Sequence, residues 1–297
     1  MKSVSDNSRF SSLVMASLLI TFNACNFAQS VEKDLQTGLT TRGKGLSCNN
    51  VYLSDGEQII KRNTFAYGES YYMNFDGMEG FEREGNNAFP DMQMVIVSEG
   101  GDTTLHHNDL YAEYVDGIEN SPLELYAEVT VADPMHSGEK YTLYVNIADK
   151  RGNGTYRATL DFKVARDEKI RVNGEQVTFG EIYLFSQQGG HTITNGEAEF
   201  NENIYLLFEG LDGFFVEDGQ VQLGLSLVVK DADGKMILDE TDLFGDSGLN
   251  YSDVHSQVAP NFILSGSEAA NPVSCTVRIW DKRSSAWISA STDIEIN

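Results

Sequence analysis

Apolar and polar positions alternate along most of the chain. Met92, Met94 and Ile96 alternate with Gln93 and Val95, and Leu223, Leu225, Leu227 and Val229 repeat the pattern far downstream. Leu143, Val145 and Ile147 do the same, as do Cys275, Val277 and Ile279. A period of two places alternate side chains on one buried face, so these stretches predict half-buried β-strands. Turn signals separate them at short intervals: Asp76-Gly77, Glu99-Gly100-Gly101, Gly152-Asn153-Gly154 and Asp233-Gly234. Helical periodicity is scarce; only Asn250–Val258 could hold a turn or two.

The pattern also repeats as a whole. Residues 72–111 align without a gap on residues 205–244, with eleven identities in forty positions. These are Tyr72, Phe75, Gly77, Gly80, Phe81, Glu84, Val95, Gly101, Leu105, Asp109 and Leu110, matched by Tyr205, Phe208, Gly210, Gly213, Phe214, Glu217, Val228, Gly234, Leu238, Asp242 and Leu243. Val51-Tyr52-Leu53 matches Ile182-Tyr183-Leu184, and Asp149-Lys150-Arg151 matches Asp281-Lys282-Arg283. A repeat this long means duplicated domains. We expect an all-β chain of two tandem modules, 46–165 and 166–297, each an antiparallel sandwich. The architecture resembles immunoglobulin-like sandwiches, although the Cys…Trp…Cys pattern of true immunoglobulin domains is missing.

The beginning of the chain reads differently. Lys2 and Arg9 precede a mostly apolar run, Leu13–Ala24, too short to span a bilayer as a helix. Phe22-Asn23-Ala24-Cys25 follows directly. This resembles the lipobox of bacterial lipoproteins, with Phe22 and Asn23 departing from its usual residues. The resemblance implies a signal peptide over 1–24 and a lipid on Cys25 that anchors the protein in the cell envelope, at the outer membrane. Residues 25–45, polar and rich in Thr and Gly, are expected to be a flexible tether.

Charge narrows the choice of partners. With 21 Lys and Arg against 45 Asp and Glu, the formal net charge is −24. Such a surface argues against a nucleic-acid or anionic-membrane partner, since both require a basic surface to displace counterions. Three cysteines exclude a disulfide scaffold and a four-cysteine zinc site. Cys48 and Cys275 align with Phe179 and Leu143, and read as two separate thiols behaving as small apolar side chains.

The best candidate site is a tryptophan pair. If the last hairpin turns between Arg283 and Ser284, Trp280 and Trp287 stand side by side on the solvent face, with Arg278 beside them. The first module has Ala148 and Thr155 there, so the site belongs to the second copy alone. Exposed indoles stack on sugars or anchor protein partners. A weaker candidate is the repeated turn carrying Asp76 and Glu79, then Glu209 and Asp212, whose carboxylates could contribute to a calcium site. Two acids per turn fall short of six oxygens, and the simpler reading is acids facing water beside core phenylalanines. Lys230–Lys235 reads as a hairpin turn, and His106 and His107, on opposite faces of a strand, as surface residues.

No nucleophile elbow, HExxH or P-loop motif is present, and no enzymatic activity is expected. The expectation is a non-catalytic, lipid-anchored envelope module that binds carbohydrate or a protein partner. By architecture it resembles surface glycan-binding components of outer-membrane uptake systems. The alternative is a structural or pilus-type subunit that assembles through strand edges.

Overall fold

The computed structural model describes residues 29–266 and 268–297. The segment 1–24 and the proposed lipid site Cys25 lie outside the described residues. The fold is all-β, with two antiparallel sandwiches in tandem.

The first sandwich contains β1 Gln29–Lys33, β2 Thr40–Lys44, β3 Asn50–Ser54, β4 Ser70–Met78, β5 Pro90–Ser98, β6 Thr103–His107, β7 Leu123–Thr130, β8 Lys140–Asp149 and β9 Thr155–Ala165. One sheet has the order β1-β2-β9-β8-β5-β6, with the short strand Thr64–Ala66 pairing parallel to the end of β9. The other runs β7-β4-β3 and ends on Ile59–Ile60. The alternating residues predicted from sequence fill the space between them: Met92, Met94, Ile96, Leu143, Val145 and Ile147 are all buried.

The second sandwich repeats this plan. It uses β10 Arg171–Glu175, β11 Glu181–Ser186, β12 Asn203–Glu209, β13 Leu223–Lys230, β14 Met236–Glu240, α1 Tyr251–Ser256, β15 Gln257–Val258, β16 Asn261–Ile263, β17 Val273–Asp281 and β18 Trp287–Ile296. One sheet has the order β10-β18-β17-β13-β14, and the facing sheet stacks β11, β12 and the interrupted strand β15/β16. The one helix among the described residues sits where the sequence allowed one, capped by the Asn250 side chain accepting from the Ser252 amide.

The identities shared by the two copies hold matching backbone crossings. Lys150 donates to Asp109 Oδ2 and Lys282 to Asp242 Oδ2, each at 2.6 Å. The buried carboxylates of Asp149 and Asp281 receive the Glu82 and Phe215 amides at 2.6 and 2.5 Å. Gly80 and Gly213 both have positive φ, and a Cβ on either would overlap a backbone carbonyl, of Gly45 or of Gln176. Phe75, Phe208 and Phe214 are buried, and Phe81 is partly so.

One expectation is overturned. Residues 29–33 and 40–44 form strands of the first sandwich and not a flexible tether. Strand β2 lies against β9 as β10 lies against β18, with Gly43 matching Gly174, so the first module begins well before residue 46. An apolar alternation is absent because the inward positions of β2 are the small residues Thr41 and Gly43. The turn between β1 and β2 is fixed by Asp34, which accepts from the Gln36 amide at 2.8 Å and the Thr37 hydroxyl at 2.7 Å. Among the described residues, β1 has no counterpart in the second sandwich, where β10 is the edge.

The two sandwiches are joined by a packed junction. Tyr67 of the first and Tyr183 of the second lie with ring centroids 5.3 Å apart, and both hydroxyls donate to Glu209, at 3.2 and 2.6 Å. Glu181, only 4% exposed, accepts from the Ser137 amide at 2.8 Å and the Ser137 hydroxyl at 2.6 Å. Arg166 covers the Phe179 ring at 4.3 Å.

Candidate binding face of the second sandwich

The last hairpin has the predicted register. Val277 pairs with Ala290, Ile279 with Ile288, and Trp280 with Trp287. Val277, Ile279, Ile288 and Ala290 are buried in the core, so alternation turns both indoles to the outer face. There they are half-buried, held by neighbours on the same face.

Trp280 lies over Gly224, its partner on β13, so closely that a Cβ there would overlap Cε2 and Cζ2 of the indole. Glycine leaves a trough in the sheet, and the neighbouring aromatic covers it. Arg278, one row along, places its guanidinium 4.6 Å from the Trp287 ring centroid, within cation–π distance. The row beside the indoles is short and polar: Asn173 on β10, Ser289 on β18, Arg278 on β17 and Ser226 on β13 pair across four strands. Glu175 flanks Trp287 from β10. Gly224 is the element missed by the sequence reading; an isolated glycine inside an alternating strand, Leu223-Gly224-Leu225, is its signal.

The structure keeps this feature out of the first sandwich. Ala148 pairs with Thr155 at the equivalent position, with Asp91 and Lys44 beside them.

The four candidate calcium acids do not converge. Among the described residues no group of three or more His, Cys, Asp or Glu side chains is placed to hold a metal ion. Asp212 is exposed as expected, but Glu209 does not simply face water, which corrects the sequence reading for that acid. Glu209 is occupied by Tyr67 and Tyr183, whose burial beside that carboxylate raises both phenols, Tyr67 to about 12. Asp212 accepts from the Gly213 amide at 2.7 Å and the Tyr251 hydroxyl at 2.9 Å, and these bonds lower its pKa. Glu79 is exposed.

A second feature, unread in the sequence, is a groove at the same side of each sandwich. In the second it occupies about 590 Å³ over Leu227, Leu238, Leu243 and Phe244; in the first, about 570 Å³ over Met94, Leu105, Leu110 and Tyr111. These residues match pairwise in the repeat, so the grooves are one property of the module, opening between the edge strands of its two sheets. His107 lines the groove of the first copy, whereas His106 points to the outer face and contacts Gln93 at 3.3 Å. Cys48 and Cys275 are both free. Lys230–Lys235 is a hairpin turn, closed by Asp231 Oδ1 accepting from the Lys235 amide at 2.8 Å.

No protein family and no curated protein matches this chain. Among solved structures it has slight similarity to pT26-6p, at 7% identity over 91% of this chain and 66% of that one, with a TM-score of 0.26. A calcium-binding mutant of Bacteroides uniformis beta-glucuronidase 2 follows, at 9% identity over 84% and 32% of the two chains and a TM-score of 0.22. The chain spans less than two thirds of the length of either. Likenesses this slight carry no argument.

Proposed function

We propose that the protein is a non-catalytic binding module of the cell envelope, anchored by lipid on Cys25, and that the outer face of its second sandwich binds carbohydrate. The observation that carries this reading is the Trp280–Trp287 pair, present in one copy of a duplicated scaffold where the other has Ala148 and Thr155. The core does not require indoles there. Half-exposed indoles offer apolar faces to the C–H side of a pyranose. Asn173, Ser226, Ser289 and Arg278 offer donors and acceptors to its hydroxyls at the same level of the sheet. A protein partner would instead be expected to demand a wider apolar surround.

Tryptophan fluorescence of the purified protein across a panel of polysaccharides tests the site directly, since its only two tryptophans are these. Binding should quench or shift the emission, and Trp280→Ala with Trp287→Ala should weaken binding at least about tenfold. A panel without response would remove the carbohydrate reading. The intact mass of protein purified from membranes tests the lipid on Cys25. Among the described residues, no helix is long and apolar enough to cross a membrane.

A second reading, assembly through strand edges, is favoured by one observation: β10 is an open edge where its counterpart β2 is covered by β1. Concentration-dependent oligomers in sedimentation would support it, and a strict monomer at high concentration would oppose it.

A further inference from the structure

We infer that the outer face of the β7-β4-β3 sheet, in the first sandwich, carries a second glycan site: a tyrosine-lined cleft that takes uncharged pyranose units. It lies on a different module from the tryptophan pair and shares with that reading only the class of ligand.

Leu53, Met73 and Leu125 are buried in the core, so alternation sends Tyr52, Tyr72, Asn74 and Tyr126 outward. Asn74 pairs with Tyr126 on β7 and with Tyr52 on β3, which places one phenol on each side of its amide. Tyr72, one row along, meets Tyr126 edge to face, with ring centroids 5.7 Å apart and planes at 76°. The turn after β3 forms the remaining wall. Asp55 accepts from the Glu57 and Gln58 amides at 2.9 and 2.7 Å, which fixes the turn. Gly56 there has positive φ and approaches the Tyr72 ring so closely that a Cβ would sit 3.5 Å from Cε2. These walls bound a cleft of about 340 Å³, at the small end of ligand pockets.

The lining fits a sugar. Tyrosine faces suit the C–H side of a pyranose. Asn74 Nδ2 donates to Ser54 Oγ at 2.9 Å, which holds the amide between the phenols, and Gln58 adds further donors and acceptors for hydroxyls. Ile59 is the one aliphatic side chain lining the cleft, too little apolar surface for a protein hot spot. Among the described residues no Lys or Arg lines it, and Glu57 on the turn and Glu128 beside Tyr72 would repel an anionic sugar. The second sandwich is the internal comparison. There Leu207 replaces Asn74 and is buried, Tyr183 replaces Tyr52 and packs on Tyr67, and the hydroxyl of Tyr205, the match of Tyr72, donates to Gln187 at 3.4 Å. The scaffold therefore does not require an open tyrosine cluster at this place.

The test follows retardation of the full chain in native gels cast with neutral polysaccharides (β-glucan, galactomannan, xylan) or with polygalacturonate. At least one neutral polymer should retard the protein, and Tyr126→Ala and Asn74→Leu should each weaken that binding about tenfold. The same loss should appear when Trp280→Ala and Trp287→Ala are already present. Both substitutions spare the fold: the Tyr126 side chain is 54% exposed, its amide is held by the Tyr111 hydroxyl at 2.9 Å, and leucine is what the second copy carries at position 74; melting curves verify this. Retardation unchanged in both variants would overturn the inference and leave the tryptophan reading standing. Retardation lost in them but not on removing the tryptophans would do the reverse. Tyr126-dependent binding of polygalacturonate would overturn the assignment to uncharged sugars. Displacement of the polymer by tetramethylammonium chloride but not by sodium chloride would give the cleft to a cation and overturn it as well. If no neutral polymer retards the parent, the cleft and the wider carbohydrate reading fall together.

Discussion

Trp280 rests on Gly224 of the adjacent strand, in a space that any side chain at 224 would fill. The glycine and the indole are one unit, and the candidate binding face depends on both. Gly224→Ala should expel the indole from its seat. The expected outcome is a red-shifted tryptophan emission and weakened carbohydrate binding. The fold should survive, since the substitution lies on the outer face and the core beneath, Leu223 and Leu225, is untouched. Emission spectra and a melting curve check both halves.

Glycines at equivalent turns should differ sharply in tolerance. Gly80 and Gly213 combine positive φ with a backbone carbonyl where a Cβ would go, and neither neighbour can swing away. Gly234 has φ of 81° and nothing within 4 Å of a Cβ. Gly80→Ala and Gly213→Ala should each cost more than about 3 kcal/mol, whereas Gly234→Ala should cost about 1 kcal/mol. Urea unfolding with the mutant m-values compared would show the contrast, and equal costs would refute it.

The parts of this structure that the sequence disclosed are those written in long-range periodicity. Alternation located the strands, and the duplication located their partners. The inward residues of the last hairpin are enough to set Trp280 opposite Trp287. What the sequence concealed was carried by small or polar residues. Strand β2 buries Thr41 and Gly43 and therefore shows no apolar rhythm. Glu209 read as a solvated acid because its partner Tyr67 lies 142 residues away in the other module. The grooves were hidden for a similar reason: their walls come from edge strands of two sheets whose separation no local pattern records.

Two matched ion pairs give the protein an acid limit. Hydrogen bonding from Lys282 lowers the pKa of Asp242. At Asp109 burial acts upward, but bonds from Lys150 and from the Tyr111 and Met92 amides outweigh it, and the pKa is lowered there too. A carboxylate with a depressed pKa in the folded state stabilises fully above its unfolded value. That stabilisation is lost as pH falls through the folded value. Lys150→Met and Lys282→Met should each destabilise by about 1 kcal/mol at pH 7. The difference from the parent should shrink as the solution is taken from about pH 5 toward pH 2, as followed by chemical denaturation. A difference independent of pH would exclude the pairs as its source.

The two described thiols should be nearly inert in the folded protein. Burial pushes Cys275 up to about 12 and Cys48 up to about 11. The Cys48 Sγ also donates to the Asn50 and Asp76 carbonyls at 3.2 Å. At pH 8 only about one Cys275 in ten thousand is a thiolate, and a reagent must also reach it. Alkylation should therefore follow global unfolding for Cys275. Rapid labelling of Cys275 under native conditions would show that the core of the second sandwich opens locally.

Glu181 decides whether the sandwiches move together. It is a buried carboxylate of the second sandwich whose two oxygens accept an amide and a hydroxyl from Ser137 of the first. Glu181→Leu leaves the Ser137 amide and hydroxyl without their acceptor and inserts an apolar side chain shaped for no pocket there. It should cost about 2–3 kcal/mol at the junction while leaving both cores intact. Tyr67→Phe removes the 3.2 Å bond to Glu209 and the acceptor of the Asp133 amide, also at 3.2 Å, but keeps the ring against Tyr183. The expected signature of Glu181→Leu is a single thermal transition split into two, because neighbouring domains melt together only while their contact is strong. Small-angle scattering should show a broader distribution of dimensions in the variant than in the parent. One sharp transition in Glu181→Leu would mean that the aromatic contact of Tyr67 with Tyr183 suffices to couple the modules.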